Sequence, residues 1–420
     1  MIPGGTAPRP FRLVASPGTG GAITTARRQS GSLLAGSVAN GLAAYGFVAL
    51  GTRSLGAEAF APVGVLWTFW ALSAATLTFP IQHWAIRTIA VEGGVGALRS
   101  GAFRLAGWVG GVAVVQFAVA ATLTERLFGD RSWFWPAAVA LLALGSAYLG
   151  VLRGVLAGTG RYHAAAIVIG GENLIRVAAG LVAVTVSDDA MPLAAALLAG
   201  PLIGALWPGA HRMPAPPGGG APVALVGYTG LSLLAAQIVL NGAPIVLPLV
   251  GGSEREITVV FTTLALLRAP YLMGLALTVR ATAPLTRLLT GGETARARRL
   301  VDGVLAVSVT AAGAAGALAA PLGPPLIALL FGEGARPGAA TAGWLAVGAV
   351  LALGGLALTV VLIAGGSGRP LLAAWLCGLA AAGIGVAVPA APVSRVVAGF
   401  VAGEAVAVGA MWAAARRSVR

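Results

Sequence analysis

A chain of 420 residues that is 58% hydrophobic and only 10% charged, with a mean hydropathy of +0.90, carries too few charges to wet the surface of a soluble fold, which needs roughly a quarter of its residues charged. Its 27 basic side chains, all arginine, face 13 carboxylates and 3 histidines and lie between long apolar runs; the net charge of +14 therefore orients helices against a membrane and excludes nucleic acid as a partner. Cys377 stands alone in an apolar run, which excludes disulfide frameworks and cysteine metal sites.

Residues 1–30 mix Pro and Gly with Arg9, Arg12, Arg27 and Arg28, without an apolar core leading to a cleavage pattern, and read as a disordered cytoplasmic tail. A hydrocarbon core about 30 Å thick needs about 20 apolar residues per helix. Six such runs follow at 32–50, 60–81, 102–123, 133–152, 162–186 and 191–207, forming an N-terminal lobe over 31–207. The Pro/Gly stretch from His211 to Pro222 marks a cytoplasmic linker, 208–222. Six more runs, at 223–250, 257–279, 300–320, 339–364, 371–388 and 393–415, form a C-terminal lobe over 223–415, and 416–420 are a short cytoplasmic tail. The expected fold is all-α and integral to the membrane, with about 12 transmembrane helices.

With both termini inside, the inner loops hold nineteen arginines and three acids, and the outer loops six arginines and eight acids. That asymmetry is the one the positive-inside rule requires. The Arg, Ala, Gly and Pro content suits a GC-rich genome, and the expected location is a bacterial plasma (inner) membrane.

Several landmarks recur about two hundred residues apart. Asn40-Gly41 matches Asn241-Gly242 and Phe60 matches Phe261, both at a shift of 201. Gly93-Gly94 answers to Gly291-Gly292, and Leu127-Phe128-Gly129 recurs as Leu330-Phe331-Gly332. The loop Ala157-Gly158-Thr159-Gly160-Arg161 resembles Ala364 to Arg369 with one insertion. Five matches in one order imply two homologous six-helix halves. Because six is even, they share one orientation and are related by an axis along the membrane normal.

A first helix with a central Asn, the run Arg53-Ser54-Leu55-Gly56-Ala57-Glu58-Ala59-Phe60, the Leu-Phe-Gly turns and the Gly-x-Gly-Arg loops together resemble the polysaccharide flippases. These belong to the multidrug/oligosaccharidyl-lipid/polysaccharide exporter superfamily, and the resemblance runs from Arg28 onward. It implies two pseudo-symmetric lobes around a central cavity, moving a polyprenyl pyrophosphate-linked oligosaccharide to the outer leaflet by alternating access. It also implies a coupling ion, proton or sodium, and partner glycosyltransferases and a polysaccharide polymerase. A multidrug antiporter of the same superfamily is the alternative reading.

Polar groups at membrane depth persist mainly where they face a cavity or a partner. Glu172 and Arg176 lie four apart on one helix face, either as a self-neutralising pair or with the arginine fork presented to a pyrophosphate. Arg268, beside Pro270, is a second candidate for that fork. Asn40, Asn241 and Gln237 either pack helices or meet sugar hydroxyls, and Glu404 is the candidate for ion coupling. Gln82, His83 and Trp84 read as an interfacial belt. Asp188-Asp189 would suit a membrane glycosyltransferase, but the loop is short and no outer domain accompanies it. No nucleotide, metal or nucleophile motif is present, so the chain is expected to be no enzyme and to need no cofactor.

Overall fold

The computed structural model describes residues 19–92, 95, 98–211, 228–271, 273–274, 285, 288–289, 293–365 and 368–418. All regular structure among the described residues is helical. Most of the expected linker, and Gly93-Gly94 and Gly291-Gly292 of the repeat, lie outside them.

The first helix, α1, spans Thr19–Ser73. A straight helix of 55 residues would reach about 80 Å, far more than a bilayer crossing. It doubles back at Gly56, whose φ of 81° and ψ of 169° lie in a region reserved for glycine, so α1 holds span one and most of span two. Residues 19–30, expected as part of a disordered tail, are helical, and so are those flanking Gly56. No proline interrupts the sequence between Pro17 and Pro62.

Span two continues through a π-turn at Ala74–Thr78 into α2, Phe79–Glu92. Pro80 has no N–H to offer the Thr76 carbonyl four residues back. That carbonyl accepts a hydrogen bond from Trp108 Nε1 at 3.3 Å, on α3, Leu98–Thr122. A short α4, Thr124–Phe128, leads to α5, Phe134–Gly158, and α6, Tyr162–Val186. Span six is not one helix: α7, Ala190–Leu197, gives way to a 3-10 segment, Gly200–Leu206, because Pro201 disfavours helical backbone at the residue before it.

In the second half, α8, Tyr228–Asn241, and α9, Ala243–Leu249, form span seven with a bend of 60°. A capping box at Ser253 and Glu256 starts α10, Glu254–Leu267. Four long helices follow: α11, Thr294–Phe331; α12, Ala339–Ala364; α13, Gly368–Ala387; and α14, Pro392–Ser418. Eight described helices are long and apolar enough to cross a membrane, and the bent α8–α9 pair makes nine. With α1 counted as two spans, and with the broken sixth and the partly described eighth, the segments follow the expected order of twelve.

The repeat is visible in the packing. Gly129 and Gly332 both end helices with positive φ, 69° and 94°, after a buried phenylalanine. Thr258 Oγ1 donates to the Ala57 carbonyl at 2.5 Å, and the Phe60 and Phe261 rings lie 6.0 Å apart. Both pairs are separated by 201 residues, so equivalent positions of the halves meet across a pseudo-twofold axis. Gly64 keeps this contact close: a Cβ there would stand 3.3 Å from the Phe261 ring. One hydrophobic core runs through this junction from Phe47 to Ala415, while a second, around Leu77, Leu152 and Ile203, is confined to the N-terminal lobe.

Candidate functional site

Span seven is where the sequence builds the C-terminal site. Pro244, in the first turn of α9, supplies no N–H to the Leu240 carbonyl four residues earlier. The Arg268 guanidinium uses the opening. Its Nη1 donates to the Asn241 side-chain oxygen and approaches the Leu240 carbonyl at 3.5 Å, while Nε donates to the Leu264 carbonyl at 2.9 Å. Asn241 Nδ2 in turn donates to Gln237 Oε1 at 2.6 Å, and Gln237 Nε2 donates to the Tyr271 hydroxyl at 3.3 Å. Arg268, Asn241 and Gln237, chosen separately from the sequence, thus form one chain of hydrogen bonds. Tyr271 completes it.

From the other lobe, the Tyr45 hydroxyl donates to the Ala265 carbonyl of α10 at 2.8 Å and lies within electrostatic reach of Arg268. Nothing in the local sequence pattern of Tyr45 and Tyr271 separates them from packing aromatics. Glu404 lies on α14 at 0% exposure, and neither carboxylate oxygen has a hydrogen-bond partner among the described residues. It is within electrostatic reach of Tyr271. Neighbouring Gly403 packs so closely that a Cβ would stand 2.9 Å from Val239 of α8.

The N-terminal lobe holds a different cluster. Glu172 pairs with Arg176 at 2.7 Å through one oxygen and with Arg153 through the other. Arg176 also donates to Asn173 Oδ1 at 2.7 Å and to the Leu197 carbonyl at 2.9 Å, and its guanidinium lies 4.4 Å from the Trp70 ring centroid. Gly200 leaves room for it, since a Cβ there would stand 2.8 Å from the guanidinium. At 1% exposure the Arg176 fork is engaged inside the lobe, in the paired arrangement that is one of the two readings of the sequence, and Arg153 adds a second cation to that pair. Arg153, assigned from the sequence to an inner loop, is buried, because α5 runs on past the expected end of span four to Gly158.

Asn40 is half-buried. Its backbone carbonyl accepts from Asn173 Nδ2 at 3.2 Å, and its own Oδ1 is buried without a partner among the described residues. Asn241, the repeat equivalent, has Arg268 on that atom; the residue equivalent to Arg268 in the first half is Trp67, and that equivalent to Tyr271 is Trp70. The halves share a scaffold and differ in chemistry. Trp84, expected in an interfacial belt, is buried inside the lobe, where a Cβ at Gly101 would stand 2.6 Å from its ring. An apolar groove of about 630 Å³ beside Gly316, Gly343 and Trp344 carries no charged lining residue.

No family model matches this sequence, and no curated protein matches it. Solved structures do. An inward-facing multidrug resistance MATE family transporter of the MOP superfamily superposes with a TM-score of 0.65 at 16% identity, covering 93% of this chain and 98% of the other. The outward-facing conformation of such a transporter gives 0.58, at 16% identity over 93% and 94% of the two chains. The eukaryotic MATE transporter AtDTX14 gives 0.60, at 15% identity over 94% and 99%. The chain has the two-lobe fold of these MATE transporters.

Proposed function

We propose that this protein is a secondary transporter that works by alternating access, most closely in the manner of a cation-coupled multidrug antiporter. The observation that carries this reading is the junction of two pseudo-symmetric lobes at one end of the bundle, with a hydrogen-bonded polar chain whose Arg268 lies within electrostatic reach of Tyr45 from the other lobe. Glu404 is the candidate for the coupling proton or sodium ion. By the arginine distribution both termini face the cytoplasm of a bacterial cell and the junction faces outward. In proteoliposomes, an imposed proton or sodium gradient should drive movement of a fluorescent organic cation. Absence of gradient-driven movement with either ion and a panel of such dyes would count against the antiporter reading.

A second reading, flipping of a lipid-linked oligosaccharide beside a polymerase and glycosyltransferases, is favoured by Arg268. Its acceptors are two carbonyls and an amide oxygen, all neutral, and a pyrophosphate would offer the fork two anionic oxygens instead. Flipping of a polyprenyl pyrophosphate oligosaccharide in the same vesicles, lost in Arg268→Ala and partly kept in Arg268→Lys, would select this reading over the first.

A further inference from the structure

At the end where the lobes meet, the side chain of Arg53 leaves its own lobe. Its Nε donates to the Leu330 carbonyl at 3.1 Å, and its Nη2 donates to the Leu329 carbonyl. Both carbonyls belong to the last turn of α11, which ends at Phe331. The last four carbonyls of a helix find no partner inside it. The Gly332 N–H takes that of Ala328 at 2.9 Å, which leaves Leu329 and Leu330 to an outside donor. An arginine here meets both the orphan oxygens and the negative end of the helix dipole. In this molecule the arginine comes from the opposite half.

The repeat sharpens the point. The residue equivalent to Arg53 is Glu254, and it sits against the equivalent turn of the first half, where a Cβ on Gly129 would stand 2.9 Å from its Oε1. The two contacts are related by the pseudo-twofold axis. A carboxylate has no proton to donate to carbonyls, so of these two residues Arg53 alone caps a helix across the interface.

We propose that Arg53 is a C-cap supplied in trans, a positioning residue that ties the end of span nine to the N-terminal lobe and favours the form closed at this end. The inference rests on alternating access. When the lobes part here, the Leu329 and Leu330 carbonyls lose their donor, so the cap is made and broken once per cycle. An exposed charge at a helix end is worth about 1 kcal/mol, or about a fivefold change in the ratio of closed to open forms.

The test places spin labels at Asp188 and Ala390, exposed on the two lobes, in a Cys377→Ala background, and reads their separation by pulsed EPR in lipid nanodiscs. Arg53→Ala should raise the longer-distance fraction about fivefold relative to the shorter. Arg53→Lys should recover part of the shift, because an ammonium donates without a fork. Arg336→Ala, which removes an exposed arginine paired with Glu333 of its own lobe, should change nothing. Two distances whose ratio ignores Arg53→Ala, or responds equally to Arg336→Ala, would overturn the cap alone. One distance common to the wild type and every variant would overturn alternating access and the cap with it.

Discussion

Glu172 and Glu404 are both buried in the transmembrane bundle, and their surroundings are opposite. Glu172 lies between two arginines, so it is compensated whatever the lobes do. Glu404 has no such partner among the described residues, and an ionised carboxylate left alone in apolar surroundings is costly. Binding a proton or a cation removes that cost, which is why coupling is assigned to the C-terminal half. Glu404→Gln keeps size and removes the ionisable group; abundance and melting temperature should hold while gradient-driven transport is lost and substrate exchange persists. Gradient-driven transport at the wild-type rate would reject the assignment. Removing Arg176 acts differently: Glu172 keeps Arg153, but the Leu197 carbonyl and Asn173 Oδ1 lose their buried donor and a large buried side chain is deleted from the lobe. Arg176→Ala should lower the melting temperature and membrane abundance, whereas Arg268→Ala should leave both intact and impair transport. Equal melting temperatures for Arg176→Ala and the wild type would show that the cluster does not hold the lobe together.

Among the elements, the bend in span seven joins sequence to site most directly. Pro244 frees Leu240, and the freed carbonyl lies beside the Arg268 guanidinium. Pro244→Ala restores the missing N–H and lets α8 and α9 merge, so abundance should hold while transport falls severalfold. A retained bend, read by label separation across span seven, would assign the break to other residues. The spans themselves were legible because twenty-residue apolar runs and alternating loop charge leave few other arrangements, and the repeat was legible because glycine turns recur in order. The partners of buried charges were not. Arg153 lies one residue beyond the expected end of span four, and its pairing with Glu172 requires α5 to pack beside α6, which no local spacing encodes. Asn241 and Arg268 were singled out by their membrane depth, yet only the folded helices join them. The break of span six at Gly200-Pro201 was not legible, because the apolar run continues through it.

For the molecule as a whole, alternating access requires the junction to open. A Cβ at Gly334 would stand 3.2 Å from the Ala57 Cβ, close to the separation in a disulfide. Ala57→Cys with Gly334→Cys, in a Cys377→Ala background, should therefore cross-link, stop transport and recover on reduction. Full activity in completely cross-linked protein would mean that this end never opens. Orientation is tested in the same background by a cysteine at Ala215, which a membrane-impermeant reagent should leave unlabelled in intact cells.

Residues that touch their own repeat equivalents occupy special positions, since only points near a twofold axis can do so. Phe60 against Phe261, and Ala57 against Thr258, are what a symmetric homodimer of six-helix subunits would show at its dyad: one self-complementary patch used twice. Joining two such subunits end to end would free each copy to change alone. Arg53 and Glu254, Trp67 and Arg268, and Trp70 and Tyr271 are three places where the copies now differ. On this view the junction is the older part of the molecule, and the chemistry that distinguishes one lobe from the other was written onto it after the copies were fused.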